Sequence, residues 1–155
     1  MQKTNIEWTD LSWNPGSGCD KVSPGCKICY AEAIATRFKG TRAFPNGFEF
    51  TIHRERFRQP LSWQKPARIF VNSMSDLFHQ KMPLEIIQEL FAVMTDCHWH
   101  TFQILTKRHE RLAQLAIRRR LKSPYRSCYR RPSRRKIKWR SALHLRRAKF
   151  CNWCG

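Results

Sequence analysis

The pentapeptide RIFVN at residues 68–72 is a short apolar run closed by Asn72. It is too short for a helix and apolar on both alternating faces, as expected of a strand buried in a parallel sheet. A second run, TFQIL at 101–105, follows a helical pattern. There Pro83 suits a first helical turn, and Leu84, Ile87, Leu90, Phe91 and Met94 recur at helical spacing up to about Thr95. Beyond TFQIL, residues 107–115 predict a short helix with Leu112 and Leu115 inward. Upstream, residues 7–13 predict a first strand that breaks at Asn14-Pro15-Gly16-Ser17-Gly18, a turn signal. In residues 29–39, Ala31, Ile34, Ala35 and Phe38 form one apolar stripe, and Gly40 stands where a C′ glycine belongs. Phe48, Phe50 and Ile52 alternate with Glu49 and Thr51 inside the long connection 41–67, predicting a short strand or hairpin arm. Strand then helix, three times over, predicts an α/β fold with a parallel sheet and crossover helices.

The chain has 155 residues and a formal net charge of +19. That length fits one domain and is short of the ~250 residues of a full (β/α)₈ barrel. No apolar run reaches the ~18 residues of a membrane span, so no membrane partner is expected. The opening MQKTNIEWTD has no charged start followed by an apolar stretch, which predicts no secretory signal and a cytoplasmic location. Seven cysteines in a reducing compartment favour metal binding or chemistry over a disulfide framework.

Three of those cysteines fall together. Cys19, Cys26 and Cys29 form C-x6-C-x2-C between the first strand and the first helix, with Cys29 opening the helix. Helix N-termini and metals both stabilise thiolates. Three thiolates are soft ligands that suit zinc or an iron–sulfur cluster. Structural zinc takes four protein ligands, and the nearest further candidates are His53 and His79. A four-iron cluster on three cysteines leaves one iron open to a small molecule. Three plain buried thiols are the remaining reading. Cys97 stands alone after a helix and is not expected to be a ligand. Trp8, Trp13 and Trp63 read as core or rim packing.

The blocks NIEWTD-LSWNP-GSGCDKVSPGCKICYAE, FVNSMSDLFH and FQILTKR, in that order over residues 4–115, closely resemble a family of phage and prophage proteins. Its members carry the three-cysteine motif and are similar to radical S-adenosylmethionine (SAM) enzymes. Cys26-Lys27-Ile28-Cys29 looks like the C-x-Φ-C half of the radical SAM signature; the first gap is six residues where three is usual. The second and third blocks are similar, over a shorter stretch, to the S-x-x-D and T-K blocks of spore photoproduct lyase. The resemblance implies a partial (β/α) barrel of radical-SAM type, a [4Fe-4S] cluster on Cys19, Cys26 and Cys29, and SAM as cofactor. Ligands in such folds lie at the C-terminal strand ends, which gathers the cysteine loop, the loop after residue 71 and Thr106-Lys107-Arg108. Ser73 and Asp76 would bond the SAM amine or ribose hydroxyls. Lys107 would pair with the SAM carboxylate or a substrate phosphate. Tyr30 and Asn14 would support the cysteine loop. Nucleic acid is the expected substrate class and a phage-encoded protein an expected partner. The rival expectation is a non-catalytic nucleic-acid-binding protein with a structural zinc.

Charge divides the chain. Residues 1–115 hold 15 of the 30 Lys and Arg and all 11 Asp and Glu; residues 116–155 hold the other 15 and no acid. Tyr125, Tyr129, Trp139 and Trp153 interleave the arginines, a pattern compatible with a nucleic-acid-binding arm. The resemblance fades at the same point, where its members continue into further strands and helices. A truncated N-terminal half followed by a disordered or frameshifted tail is the first expectation for this segment, a genuine basic arm the second and a structured mini-domain the third. Cys128, His144, Cys151 and Cys154 match no defensible metal spacing.

Overall fold

The two apolar runs lie side by side in a computed structural model that describes residues 4, 6–117 and 149–151. In chain order the elements are β1 (Leu11–Trp13), β2 (Gly16–Ser17), α1 (Tyr30–Arg37), β3 (Thr51–Ile52), β4 (Arg68–Val71), α2 (Leu84–Asp96), β5 (Thr101–Leu105), α3 (His109–Ile117) and β6 (Lys149–Cys151). The main sheet has the order β1-β4-β5-β6 with every pair parallel. Ile69 stands opposite Leu11 and Phe102, and Val71 opposite Trp13 and Ile104. A small antiparallel pair, β2 with β3, stands beside it. The fold is therefore mixed α/β with a parallel sheet, and α1, α2 and α3 lie in the crossovers, as the strand–helix alternation predicts.

Burial explains the sheet. Ile69, Val71 and Ile104 are fully buried, and α2 covers them with Ile86, Ile87, Leu90 and Val93. Leu77, Phe78 and Met82 from the β4–α2 loop are also fully buried, so that loop is fixed by its apolar content. Trp13 and Trp63 are in the core as expected, and the Trp13 indole donates to the Arg56 carbonyl at 2.7 Å. Trp8 is half-exposed against the Phe70 ring.

Four expectations need correction. The first strand does not begin at residue 7. Glu7 and Trp8 form a turn, and the Asp10 carboxylate accepts from both the Arg68 amide (2.7 Å) and its guanidinium (2.8 Å), so pairing starts at Leu11. On α1 only Ala31 and Ala35 face inward; Ile34 and Phe38 are exposed. Gly40 has a left-handed φ of +84° but lies one residue beyond C′, since Phe38 is the C-cap. The last helix starts at His109, because the Thr106 hydroxyl accepts the Arg108 amide at 2.9 Å and makes residues 106–108 a turn. The expectations for residues 116–155 lie outside the described residues, apart from the end of α3 and from β6, whose backbone pairs beside β5. No described helix is long and apolar enough to cross a membrane.

His53 extends the pairing of the small sheet. Its backbone amide donates to the Pro15 carbonyl at 2.8 Å and its Nε2 lies 2.8 Å from the Ser17 hydroxyl. Burial, with help from Arg56 and against Glu55, holds its pKa below the ordinary 6.5. The folded chain thus binds a proton at His53 less readily than the unfolded chain does. That contribution to stability is complete above about pH 6.5 and is lost as pH falls beneath it. The urea midpoint should decline as pH falls below about 6.5, with a shallower decline in His53→Gln. His79, whose pKa is lowered first by burial, retains its share in that variant.

Candidate functional site

The C-terminal ends of β1, β4 and β5 carry three loops, and a chain of hydrogen bonds joins them. Asn14, just past β1, accepts the Ser73 hydroxyl at 3.0 Å and the Met74 amide at 3.2 Å on its side-chain oxygen. Gly18 then donates its amide to the Met74 carbonyl at 2.9 Å. Only glycine serves there: φ is +77°, and a Cβ would stand 2.2 Å from the Glu49 carbonyl oxygen. The cysteine loop leaves from this point. Tyr30, the first residue of α1, returns to the β4 loop, its hydroxyl donating to the Ser73 carbonyl at 2.5 Å. Asn14 and Tyr30 thus tie the chain on either side of the cysteine loop to the loop after β4.

Asp76 sits at the centre and is buried. Its Oδ1 accepts the Phe78 amide at 2.9 Å and its Oδ2 the Lys107 amide at 3.1 Å. The Thr106 hydroxyl is 2.9 Å from both oxygens. A carboxylate offers about four lone-pair positions, and three donors meet them here, the single Thr106 proton being shared between the two oxygens. Asp76 is where the sequence analysis places it, at a strand end beside the cysteine loop, but its carboxylate is spent on holding the loop after β5. Ser73 is also engaged, through Asn14.

Lys107 and Arg108 reach from that turn to the cysteines. Lys107 Nζ donates to the Gly25 carbonyl at 2.7 Å and faces Cys26 Sγ at 3.7 Å. Arg108 Nη2 donates to the Asp20 carbonyl at 3.1 Å and faces Cys19 Sγ at 3.8 Å. All three cysteines of the loop are free thiols and partly exposed. Burial works against ionisation of Cys26, but the Val22 and Ser23 backbone, the Ser23 hydroxyl and Lys107 outweigh it and bring its pKa down to about 7. Burial dominates at Cys19 and pushes its thiol up, and Arg108 offsets only part of that.

No group of three His, Cys, Asp or Glu side chains among the described residues is gathered to hold a metal ion. The two histidines considered as a fourth zinc ligand are both engaged elsewhere. His53 is held by Ser17. His79 is fully buried and stacked on Phe50, with Nε2 3.0 Å from the Asp20 carboxylate and Nδ1 accepting the Lys81 amide at 3.1 Å. A cluster makes a different demand, because it spreads its thiolates over separate irons. Cys19 and Cys26 each face one cation, which favours the thiolate that any such centre requires.

Two residues escape the sequence analysis as individuals. Arg108 is buried, and its Nε has no protein partner among the described residues. Asn72, at the end of the central strand β4, is 2 % exposed and takes a left-handed φ of 56°. Its amide donates to the Trp13 carbonyl at 2.8 Å, while both atoms of its side-chain amide lack a protein partner among the described residues. Buried polar atoms of this kind, on strained backbone, are a mark of ligand sites.

Residues 3–143 match a family model described as "Protein of unknown function (DUF5131)". The match spans most of the chain, including all three site loops, and the chain belongs to that family. No curated protein and no solved structure matches it.

The geometry separates the thiols by reactivity. Cys97 is fully buried and its pKa is pushed up to about 11, first by burial and then by Asp96. At about pH 7 iodoacetamide should label Cys26 at least about tenfold faster than Cys97, because the thiolate is the reactive form. Lys107→Met should slow labelling of Cys26 and leave Cys97 unchanged. Peptide mapping by mass spectrometry reads both rates, and equal rates would contradict the assignment.

Proposed function

We propose that this member of the DUF5131 family is a radical-SAM-like iron–sulfur protein of phage or prophage origin that acts on nucleic acid, built on a partial (β/α) barrel of radical-SAM type. The observation that carries the reading is the meeting of Cys19, Cys26 and their cations Arg108 and Lys107 at the C-terminal edge of a parallel sheet. That edge is where such folds bind ligands. Cys19, Cys26 and Cys29 would hold a [4Fe-4S] cluster. With SAM it would supply one-electron chemistry ending in hydrogen abstraction from the substrate.

The chain's own residues have distinct parts in this reading. Lys107 and Arg108 balance the negative charge of three thiolates. Asn72 offers a donor and an acceptor that have no partner among the described residues, side by side, a pairing suited to a polar cofactor edge such as that of SAM. Ser73 and Lys107 stand near enough to the cysteine loop to take part in SAM binding. Asp76 acts through the Thr106-Lys107 turn.

Nucleic acid as substrate draws support from the surface beside the loop. Five of the seven large hydrophobic side chains exposed among the described residues are Val22, Ile28, Tyr30, Ile34 and Phe38. This clustering along one loop and one helix marks an interaction face. Lys27, Arg37 and Lys39 stand among them and form no ion pair among the described residues. Exposed rings beside cations, with Arg37 itself 5.6 Å from the Phe38 ring centroid, suit a single strand, whose bases stack and whose phosphates pair.

Anaerobic reconstitution with iron and sulfide tests the reading. The wild-type chain should turn brown and hold iron and acid-labile sulfide. Cys19→Ala, Cys26→Ala and Cys29→Ala should each lose the iron, and Cys97→Ala should keep it. Full iron retention in Cys26→Ala, or a colourless wild-type protein with one zinc, would overturn the reading and favour a structural zinc.

A further inference from the structure

We infer that the Thr106-Lys107-Arg108 turn is a clamp that positions the cysteine loop, and that Arg108 is its principal arm. The electrostatic part of the inference rests on the iron–sulfur reading; the mechanical part does not.

The cysteine loop has few bonds within itself. Between Cys19 and Cys29 its internal backbone bonds are Cys26 to Ser23 at 2.9 Å and Lys27 to Pro24 at 3.0 Å. The short turn Pro24–Cys26 buries no residue, and Ile28 is 97 % exposed. A segment with so few buried contacts has no reason of its own to stay in one place. The Asp20 carboxylate meets His79 Nε2 at 3.0 Å, Lys21 pairs with Glu32 at 2.9 Å and the Cys19 amide donates to the Phe48 carbonyl at 3.2 Å; the backbone of the gap itself is held from the turn after β5. Arg108 takes the Asp20 carbonyl at one end of the six-residue gap, and Lys107 takes the Gly25 carbonyl near the other. Gly25 makes room for this, since a Cβ there would lie 3.2 Å from Lys107 Nζ.

The clamp is itself anchored. Asp76 holds the Thr106 hydroxyl and the Lys107 amide, and Thr106 holds the Arg108 amide. Arg108 adds a feature that folding does not require. A buried guanidinium is costly to desolvate, and an apolar side chain of similar volume would commonly serve stability as well or better. Its cationic end lies against Cys19 Sγ. A fixed positive charge beside a thiolate ligand favours the more negative, reduced state of the group bound there. Arg108 is thus a positioning residue that also sets the electrical environment of the site.

Hydrogen exchange on the full, iron-free chain reads the mechanical part. In Arg108→Met the amides of Cys26 and Lys27 should exchange at least about tenfold faster, the effect of losing a charge-assisted hydrogen bond. Amides in α2 should be unchanged, and Arg108→Lys should recover part of the protection. Unchanged loop exchange would overturn the clamp, and so would equal acceleration in α2, which would make Arg108 a general stabiliser. If Arg108→Met does not fold, Lys107→Met, at an exposed position, decides by the same readout. In reconstituted protein, Arg108→Met should have a more negative midpoint potential at equal iron content, and Arg108→Lys should keep the wild-type value. An unchanged potential in iron-loaded Arg108→Met would overturn the electrostatic part. A wild-type chain that binds no iron would instead contradict the iron–sulfur reading, and the exchange rates would still decide the clamp.

Discussion

Asp76 accepts hydrogen bonds from its own loop through the Phe78 amide and from the next one through Thr106 and the Lys107 amide. A buried carboxylate is stable only when its lone pairs are met, and each such charge-assisted bond is stronger than a neutral one. The charge therefore draws two sequence-distant segments together and fixes their register. Thr106 is turned so that its hydroxyl serves Asp76 and the Arg108 amide at once. That fixes the direction in which Lys107 and Arg108 leave the backbone, and with it the position of the cysteine loop. On the other side of the sheet edge, Arg111 of α3 donates to the carbonyls of Phe78, His79 and Met82, so the β4–α2 loop is held from two directions.

The same arrangement explains the contrast among the thiols. Cys97 is buried in the core with Asp96 beside it, which keeps it protonated and inert. Cys26 is partly exposed, with Lys107 and the loop backbone lowering its pKa. Cys19 is more enclosed, and Arg108 counters only part of the cost of that enclosure. Two cations are thus assigned one to each of two thiols, and both originate in one tripeptide. The apolar core between the sheet and α2 includes neither cation.

Much of the scaffold was legible because it follows from periodicity. Residues 69–71 are a strand built on an unbroken apolar run, residues 101–105 alternate with Phe102 and Ile104 buried and Gln103 between them, and α2 follows the spacing of Ile87, Leu90 and Met94. The end of β1 near Trp13 was legible, but its start was not. Trp8 reads as a strand former, whereas the Asp10 carboxylate binding the Arg68 amide admits the chain to the sheet only at Leu11. On α1 periodicity misleads, because Ile34 and Phe38 share a stripe with Ala31 and Ala35 yet face solvent. Cys19, Cys26 and Cys29 stood out by spacing. Arg108 did not, because no pattern distinguishes a buried arginine from the exposed lysine before it. Asn72 was equally silent, since its distinction lies in a backbone angle and in partners it lacks.

The claim at the root of this account is that Asp76 and Thr106 act as one joint. A double-mutant cycle measures that coupling directly, using urea unfolding of the wild-type chain, Asp76→Ala, Thr106→Val and the double variant. Residues in contact through a charged hydrogen bond should not behave independently. The account predicts that the double variant loses less stability than the two single losses combined, by at least about 1 kcal/mol. Losses that add within about 0.5 kcal/mol would contradict it, and would mean that the loops after β4 and β5 are positioned by packing alone.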